Sequence, residues 1–286
     1  MGLRIAYVNE LEIENPYRAD IGKYCRLAYN LAEKHVYTQD RNPPYSIETS
    51  ITPGYHLFLA LVMAQSENID LMYNRTLILQ AILSAATVAL SYLLFCRYLS
   101  LWASLIGTFL IIISPHLIVY SGYFLTETLF TFLLVLGFLL YSICTTRSSI
   151  FWGVATGVIW SLVCLTRPAF LLFPLVLFAY WMLFGRDTKK NMKVHLAVLA
   201  GFLIFWTPWQ IYSHDKLKKY SPSAVSFALG GYPDLIYKSE KLKGYPYRED
   251  PRYGEMSESL SSAMKVVWER AKEKENLFCI GMLMSR

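Results

Sequence analysis

From Leu77 onward the chain is built of apolar blocks, each close to the length that crosses the roughly 30 Å hydrocarbon layer of a bilayer, which takes about 20 residues in a helix. Six are read, over residues 77–96, 100–119, 126–146, 149–166, 168–185 and 194–213. Blocks of this kind predict membrane helices, so the expected fold is all-α. It is a polytopic bundle of about six spans with short amphipathic helices on the non-cytoplasmic face. Three regions follow: residues 1–76 as a non-cytoplasmic loop with juxtamembrane helices, 77–213 as the transmembrane core, and 214–286 as a non-cytoplasmic C-terminal segment. Only 17% of the 286 residues are charged, against about 25% in soluble domains.

The connections between blocks set the orientation. Arg97, Arg147 and the group Arg186, Lys189, Lys190 and Lys193 fall in the first, third and fifth connections. Basic residues gather on the cytoplasmic side, which also accounts for much of the net charge of +6 and makes nucleic acid an unsuitable partner. The second and fourth connections then face the other way. They carry Glu127, the single acidic residue between Asp70 and Asp187, and Arg167. A carboxylate among spanning segments costs roughly 2.5 kcal/mol or more unless it lies at an interface or in a wet cavity, so Glu127 is a functional candidate by default. Its structural alternative is a helix start, with Thr126 as cap and Glu127 favoured by the helix dipole. For Arg167 the alternative is a headgroup anchor. Pro168 directly after it fits a helix start.

The flanking regions are polar and aromatic. In ADIGKYCRLAYNLAEKHVY the residues Tyr24, Leu27, Ala28 and Leu31 recur at helical spacing, with Asp20 at the helix start, where a cap and a base are both open readings. The breakers Pro43, Pro44, Pro53 and Gly54 lead into an apolar helix too short to span, headed by Tyr55 and His56, which suit either ligand contact or an aromatic belt. Near the C-terminus Leu260, Met264, Val267 and Ala271 predict one face of an amphipathic helix. The five cysteines show neither CxxC nor His-paired spacing, so neither a disulfide framework nor a zinc site is read. Phosphate loop, dinucleotide fingerprint, GxSxG and HExxH are all lacking. Any chemistry must be assembled from separated loops.

The stretches ADIGKYCRLAYNLAE, TPGYHLFLALV, NRTLILQAILSAATVALSYLLF, SPHLIVYSGYFLTETLFTFLL, GVATGVIWSLVCLTRPAFLLFPLVL and TPWQIY stand in an order that resembles the polyprenyl-phosphate-sugar-dependent glycosyltransferases of the GT-C superfamily. That group includes the protein O-mannosyltransferases, the lipid A aminoarabinose transferase and the Rgt-type lipopolysaccharide glycosyltransferases. The resemblance implies an inverting displacement that moves a hexosyl or pentosyl group from a polyprenyl-phosphate carrier to a lipid, glycan or protein hydroxyl, in a multi-pass protein of the plasma membrane and cell envelope. It further implies Asp20 as general base, Glu127 as a supporting acidic residue and Arg167 as the contact to the lipid-linked phosphate, with Tyr24, Tyr55 and His56 as substrate contacts. Some members use a divalent metal; no ligand set is identified here, and Glu48 and His56 are the residues that would come into question. Family members usually carry a membrane helix ahead of the position of Asp20 and several more after that of Arg286, so the chain is expected to be short at both ends. Where this sequence has Thr52 and His56, relatives often have a charged residue and a proline. Two rival expectations stand beside the transferase: a non-catalytic shortened relative, and a transporter or flippase using Glu127 as its ion site.

Overall fold

The computed structural model describes residues 1–10, 20–49, 51–66, 68–184, 188–214, 252–259, 261–266, 268–269 and 272. All regular structure among them is helical. In chain order the elements are α1 (Gly2–Glu10), α2 (Asp20–Lys34), α3 (Gly54–Ala64), α4 (Ile69–Phe95), α5 (Leu101–Ile112), α6 (Pro115–Val119), α7 (Thr126–Arg147), α8 (Ile150–Thr166), α9 (Phe173–Phe184), α10 (Thr188–His214) and α11 (Tyr253–Glu258). Single 3-10 turns lie at Tyr120–Gly122 and Pro168–Phe170. The chain divides into two compact units, residues 1–48 with 52–212, and residues 49–51 with 213–286.

Among the described residues three helices are long and apolar enough to cross a membrane, Asp70–Phe95, Thr126–Arg147 and Met192–Ser213, with a fourth if the pair Leu101–Ile112 and Pro115–Gly122, bent by 51°, counts as one span. That is fewer than the six blocks suggested, and two prolines explain the difference. Pro115 interrupts the second block, because proline cannot donate to the helix ladder and clashes with the preceding turn. Pro168 pushes Arg167 out of the helical region, to φ −145° and ψ 112°, so α8 stops at 17 residues. The block after it begins as a 3-10 turn.

The first unit is organised on an antiparallel hairpin of α7 and α8. Ser148 adopts a left-handed conformation at φ 49°, its amide donates to Cys144 O at the end of α7, and α8 runs back. Helix α4 lies beside α7 in the same direction. Arg97 just past its end donates to Ser142 Oγ at 2.5 Å and Thr146 Oγ1 at 2.9 Å, so Arg97 and Arg147 share one end of the bundle, as the charge pattern requires. Arg186 lies outside the described residues.

Helix α8 crosses α10 at contact distance of their backbones. A Cβ at Gly157 would meet Val198 O and lie 2.6 Å from Phe202 N, and one at Gly201 would meet Val154 O. Gly153 and Gly157 form a small-xxx-small pattern, which lets membrane helices approach closely. The sequence stretch GVATG carries this signal openly. Replacing Gly157 with Ile is expected to force the pair apart and cost about 1–3 kcal/mol or more, the range for overpacked cores. Thermal denaturation of the detergent-solubilised protein checks this; an unchanged melting temperature would count against the crossing.

Helix α1 contributes a feature absent from the sequence reading. Arg4 is 1% exposed and donates to Ser84 Oγ at 2.7 Å and to the carbonyls of Ile111 and Ile112 at 3.3 and 3.5 Å. These carbonyls end α5, where the helix break at Pro115 leaves acceptors without intrahelical donors. A buried cation at a helix C-terminus is favoured by the dipole.

In the second unit Ser259 Oγ accepts from Ser262 N at 3.1 Å, a cap for the helical run at 261–266. Arg252 pairs with Glu255 at 3.0 Å and Glu269 at 2.9 Å. Among the described residues of this run Ala263 and Val266 are buried and Met264, one of the four expected apolar positions, is exposed. Leu260, Val267 and Ala271 lie outside the described residues.

Candidate active site

The hairpin brings Glu127 and Arg167 to one end. Glu127 is in the first turn of α7, and Arg167 caps the last turn of α8, its amide donating to Val163 O at 2.8 Å. Their side chains meet, Arg167 Nη1 to Glu127 Oε1, at 2.9 Å, with 44% and 26% of the two side chains exposed. The guanidinium also lies over the Phe130 ring, 5.8 Å from its centroid. A half-exposed pair of this kind stabilises a fold by only about 0–1 kcal/mol. Its other guanidinium N–H groups meet no acceptor among the described residues, and a planar fork with free donors suits a bidentate phosphate or carboxylate. The cap of α7 is Leu125, not Thr126: Thr126 is already helical, and its hydroxyl lies 3.4 Å from Glu127 Oε2. With no side chain capping α7, the carboxylate of Glu127 is held by Arg167.

Around this pair the short helices are fitted tightly. A Cβ on Gly54 would lie 2.7 Å from Leu165 C and 2.8 Å from Thr166 N, so only glycine lets the head of α3 rest on the last turn of α8 directly before Arg167. The next two residues point inward: Tyr55 and His56 are both fully buried. Tyr24, on α2, packs edge-on against both, with ring centroids 5.8 and 4.9 Å away. Asp20 opens α2 as expected; its side chain lies outside the described residues. Positions four apart share a helix face, so Asp20 stands one turn from Tyr24 on the side of α2 that meets α3.

Tyr55 and His56 are engaged differently. The Tyr55 hydroxyl donates to Gln80 Oε1 at 2.8 Å. The Nδ1 of His56 lies 3.0 Å from Tyr37 Oη and 3.2 Å from Thr52 O. Nε2 is buried and has no hydrogen-bond partner among the described residues. Burial pushes the imidazole down to about 4, so His56 is neutral at physiological pH. Tyr37 meets Trp209 at 5.8 Å between centroids, which draws the TPWQIY stretch at the end of α10 to the same rim. Glu48 accepts from Gln39 Nε2. Among the described residues no three His, Cys, Asp or Glu side chains converge as a metal-holding group would.

Sequence reasoning missed Tyr37, Gln80 and the need for Gly54. The signal for Gln80 was present: Thr76, Gln80, Ser84, Thr87 and Ser91 recur along one face of an otherwise apolar helix, and all five are buried. Polar residues inside a membrane segment face the bundle interior.

Comparison with known families matches residues 48–221 to the model described as dolichyl-phosphate-mannose-protein mannosyltransferase. No curated relative matches the chain. The matched range contains the 54–56 turn, Gln80, Glu127, Arg167 and Trp209; Asp20 and Tyr24 precede it.

Proposed function

The chain belongs to the dolichyl-phosphate-mannose-protein mannosyltransferase family and is an integral membrane glycosyltransferase of the GT-C type; from that premise we propose that it moves a sugar from a polyprenyl-phosphate carrier to a lipid, glycan or protein hydroxyl at the non-cytoplasmic face of the plasma membrane. The observation that carries this is the Arg167–Glu127 pair at 2.9 Å, on the rim where the heads of α2 and α3 also gather. In the proposed step the acceptor oxygen attacks the anomeric carbon while the carbon–oxygen bond to the carrier phosphate breaks, with inversion. Asp20 takes the hydroxyl proton, and the phosphate leaves with the bonding pair, its charge met by Arg167. Glu127 holds the guanidinium toward that phosphate. Tyr24 lines the approach, and the buried Tyr55 and His56 brace the head of α3 behind it.

Both charged partners matter because neither alone suits the reaction. A cation without its carboxylate swings freely on a long side chain; held, it loses less entropy when the phosphate arrives. The test is transfer of labelled sugar from synthetic polyprenyl-phosphate mannose and polyprenyl-phosphate aminoarabinose by the purified protein in lipid nanodiscs. Transfer or release of sugar dependent on the protein is the expected result. Folded protein that leaves every such donor intact would overturn the proposal.

A further inference from the structure

We infer that Gln80 is a positioning residue for the Arg167–Glu127 pair, acting through the 117–125 segment and resting on the transferase reading for its effect on turnover. Gln80 is fully buried within α4. Its amide is the junction between two segments remote in sequence. On one side Oε1 accepts from Tyr55, whose neighbour Gly54 sits on the backbone just before Arg167. On the other side Nε2 donates to Ser121 O at 3.2 Å and Tyr123 O at 2.8 Å. Those carbonyls belong to the turn that leads through Leu125 into the first turn of α7 and Glu127.

That turn needs outside donors. Its backbone satisfies itself only in part: Leu125 N donates to Tyr123 O at 2.8 Å, and irregular backbone within a membrane bundle draws its remaining donors from neighbouring protein. Ser84, four residues on along the same face of α4, donates to Leu117 O at 3.1 Å, and Thr128 donates to Tyr120 O at 2.9 Å. Of these three side chains only Gln80 also reaches the α3 side. One amide therefore fixes the spacing between the segment that ends in Glu127 and the segment that abuts Arg167. Glutamine suits the place because it offers an acceptor to Tyr55 and two donors to the carbonyls at once.

The test replaces Gln80 with Met, which keeps the volume and removes all three bonds, and with Glu, which keeps the acceptor and the shape. Hydrogen–deuterium exchange of the full protein in nanodiscs is read at peptides covering 117–127 and, as reference, 142–153. Exchange at 117–127 is expected to rise about tenfold in Gln80→Met, the effect of taking the side-chain donor from Ser121 O and one of two donors from Tyr123 O, with 142–153 unchanged. The Glu variant should move in the same direction. Turnover should fall about 100-fold, as a displacement of about 1 Å can cause. In a Glu127→Gln background the same change should cost less than about threefold more, because residues that act as a unit are not additive. Unchanged exchange at 117–127, exchange rising equally at 142–153 in both variants, or full additivity with Glu127→Gln would each overturn the inference. The exchange arm does not depend on turnover, so a wild-type protein that transfers no sugar would sink the transferase reading and leave this one standing or falling by itself.

Discussion

Asp20→Asn is expected to lower sugar transfer by about 100- to 10,000-fold, the contribution of a positioned general base, with donor affinity changed little. An alcohol is a poor nucleophile until its proton is accepted, and Asn keeps the size and polarity of Asp but cannot accept that proton as a base. The substitution is chosen because Asn keeps the size and polarity of Asp in the first turn of α2, so α2 should still begin at residue 20. Tyr24, one turn on, should still dock on Tyr55 and His56. Loss of turnover with an unchanged helix start therefore separates a base from a structural first-turn residue. Single-turnover rates with polyprenyl-phosphate donor, set beside equilibrium binding of the same donor, make the measurement. Turnover at the wild-type rate removes Asp20 from the mechanism, leaving it as a first-turn carboxylate of α2 that the helix dipole favours.

How far the site could be read in advance depended on the range of the interactions involved. Helix α2 was legible because its start and its apolar face are local properties of the chain. That Glu127 and Arg167 lie at one end of the bundle was legible, since two consecutive apolar blocks that run out and back bring the start of one beside the end of the next. The contact itself follows from α7 and α8 forming one tight hairpin, with Ser148 turning left-handed between them. By contrast, the bend at Pro115 replaces a span with a broken one, and the breaker was visible there while its consequence was not. What the chain on either side of Pro115 leans on, Arg4 before it and Gln80 and Ser84 after it, comes from segments 33 to 108 residues away. Hydropathy weighs such residues only as small losses of apolar character, although their periodicity along α4 was a usable sign. The cap at Leu125 was misread for a related reason: threonine is a good cap in isolation, but here the Glu127 carboxylate is fixed by a cation across the hairpin instead.

That cation is the second test. Arg167→Met is expected to reduce kcat/KM for the polyprenyl-phosphate donor by about 100- to 1,000-fold, the usual loss when a donor aimed at developing negative charge is removed. Methionine keeps the length and packing over Phe130 while discarding the charge. The pair adds little to stability when half exposed, so the melting temperature should hardly move. The exchange Glu127→Arg with Arg167→Glu then distinguishes a site from a brace. It restores an ion pair across the same hairpin end and should fold, but it sets a carboxylate at the α8 side, where the phosphate is to be met, and like charges there repel. Transfer should stay at the level of Arg167→Met. Recovery of transfer in the exchanged protein would mean that the pair only holds α7 to α8, and the phosphate contact would then have to be sought elsewhere on the rim. A transporter using Glu127 as its ion site makes the opposite demand: it needs that carboxylate free to take up its ion, whereas Arg167 engages it at 2.9 Å. Removing Arg167 would release such a carboxylate and should raise proton-coupled flux across proteoliposomes, while a transferase loses its only assigned grip on the donor.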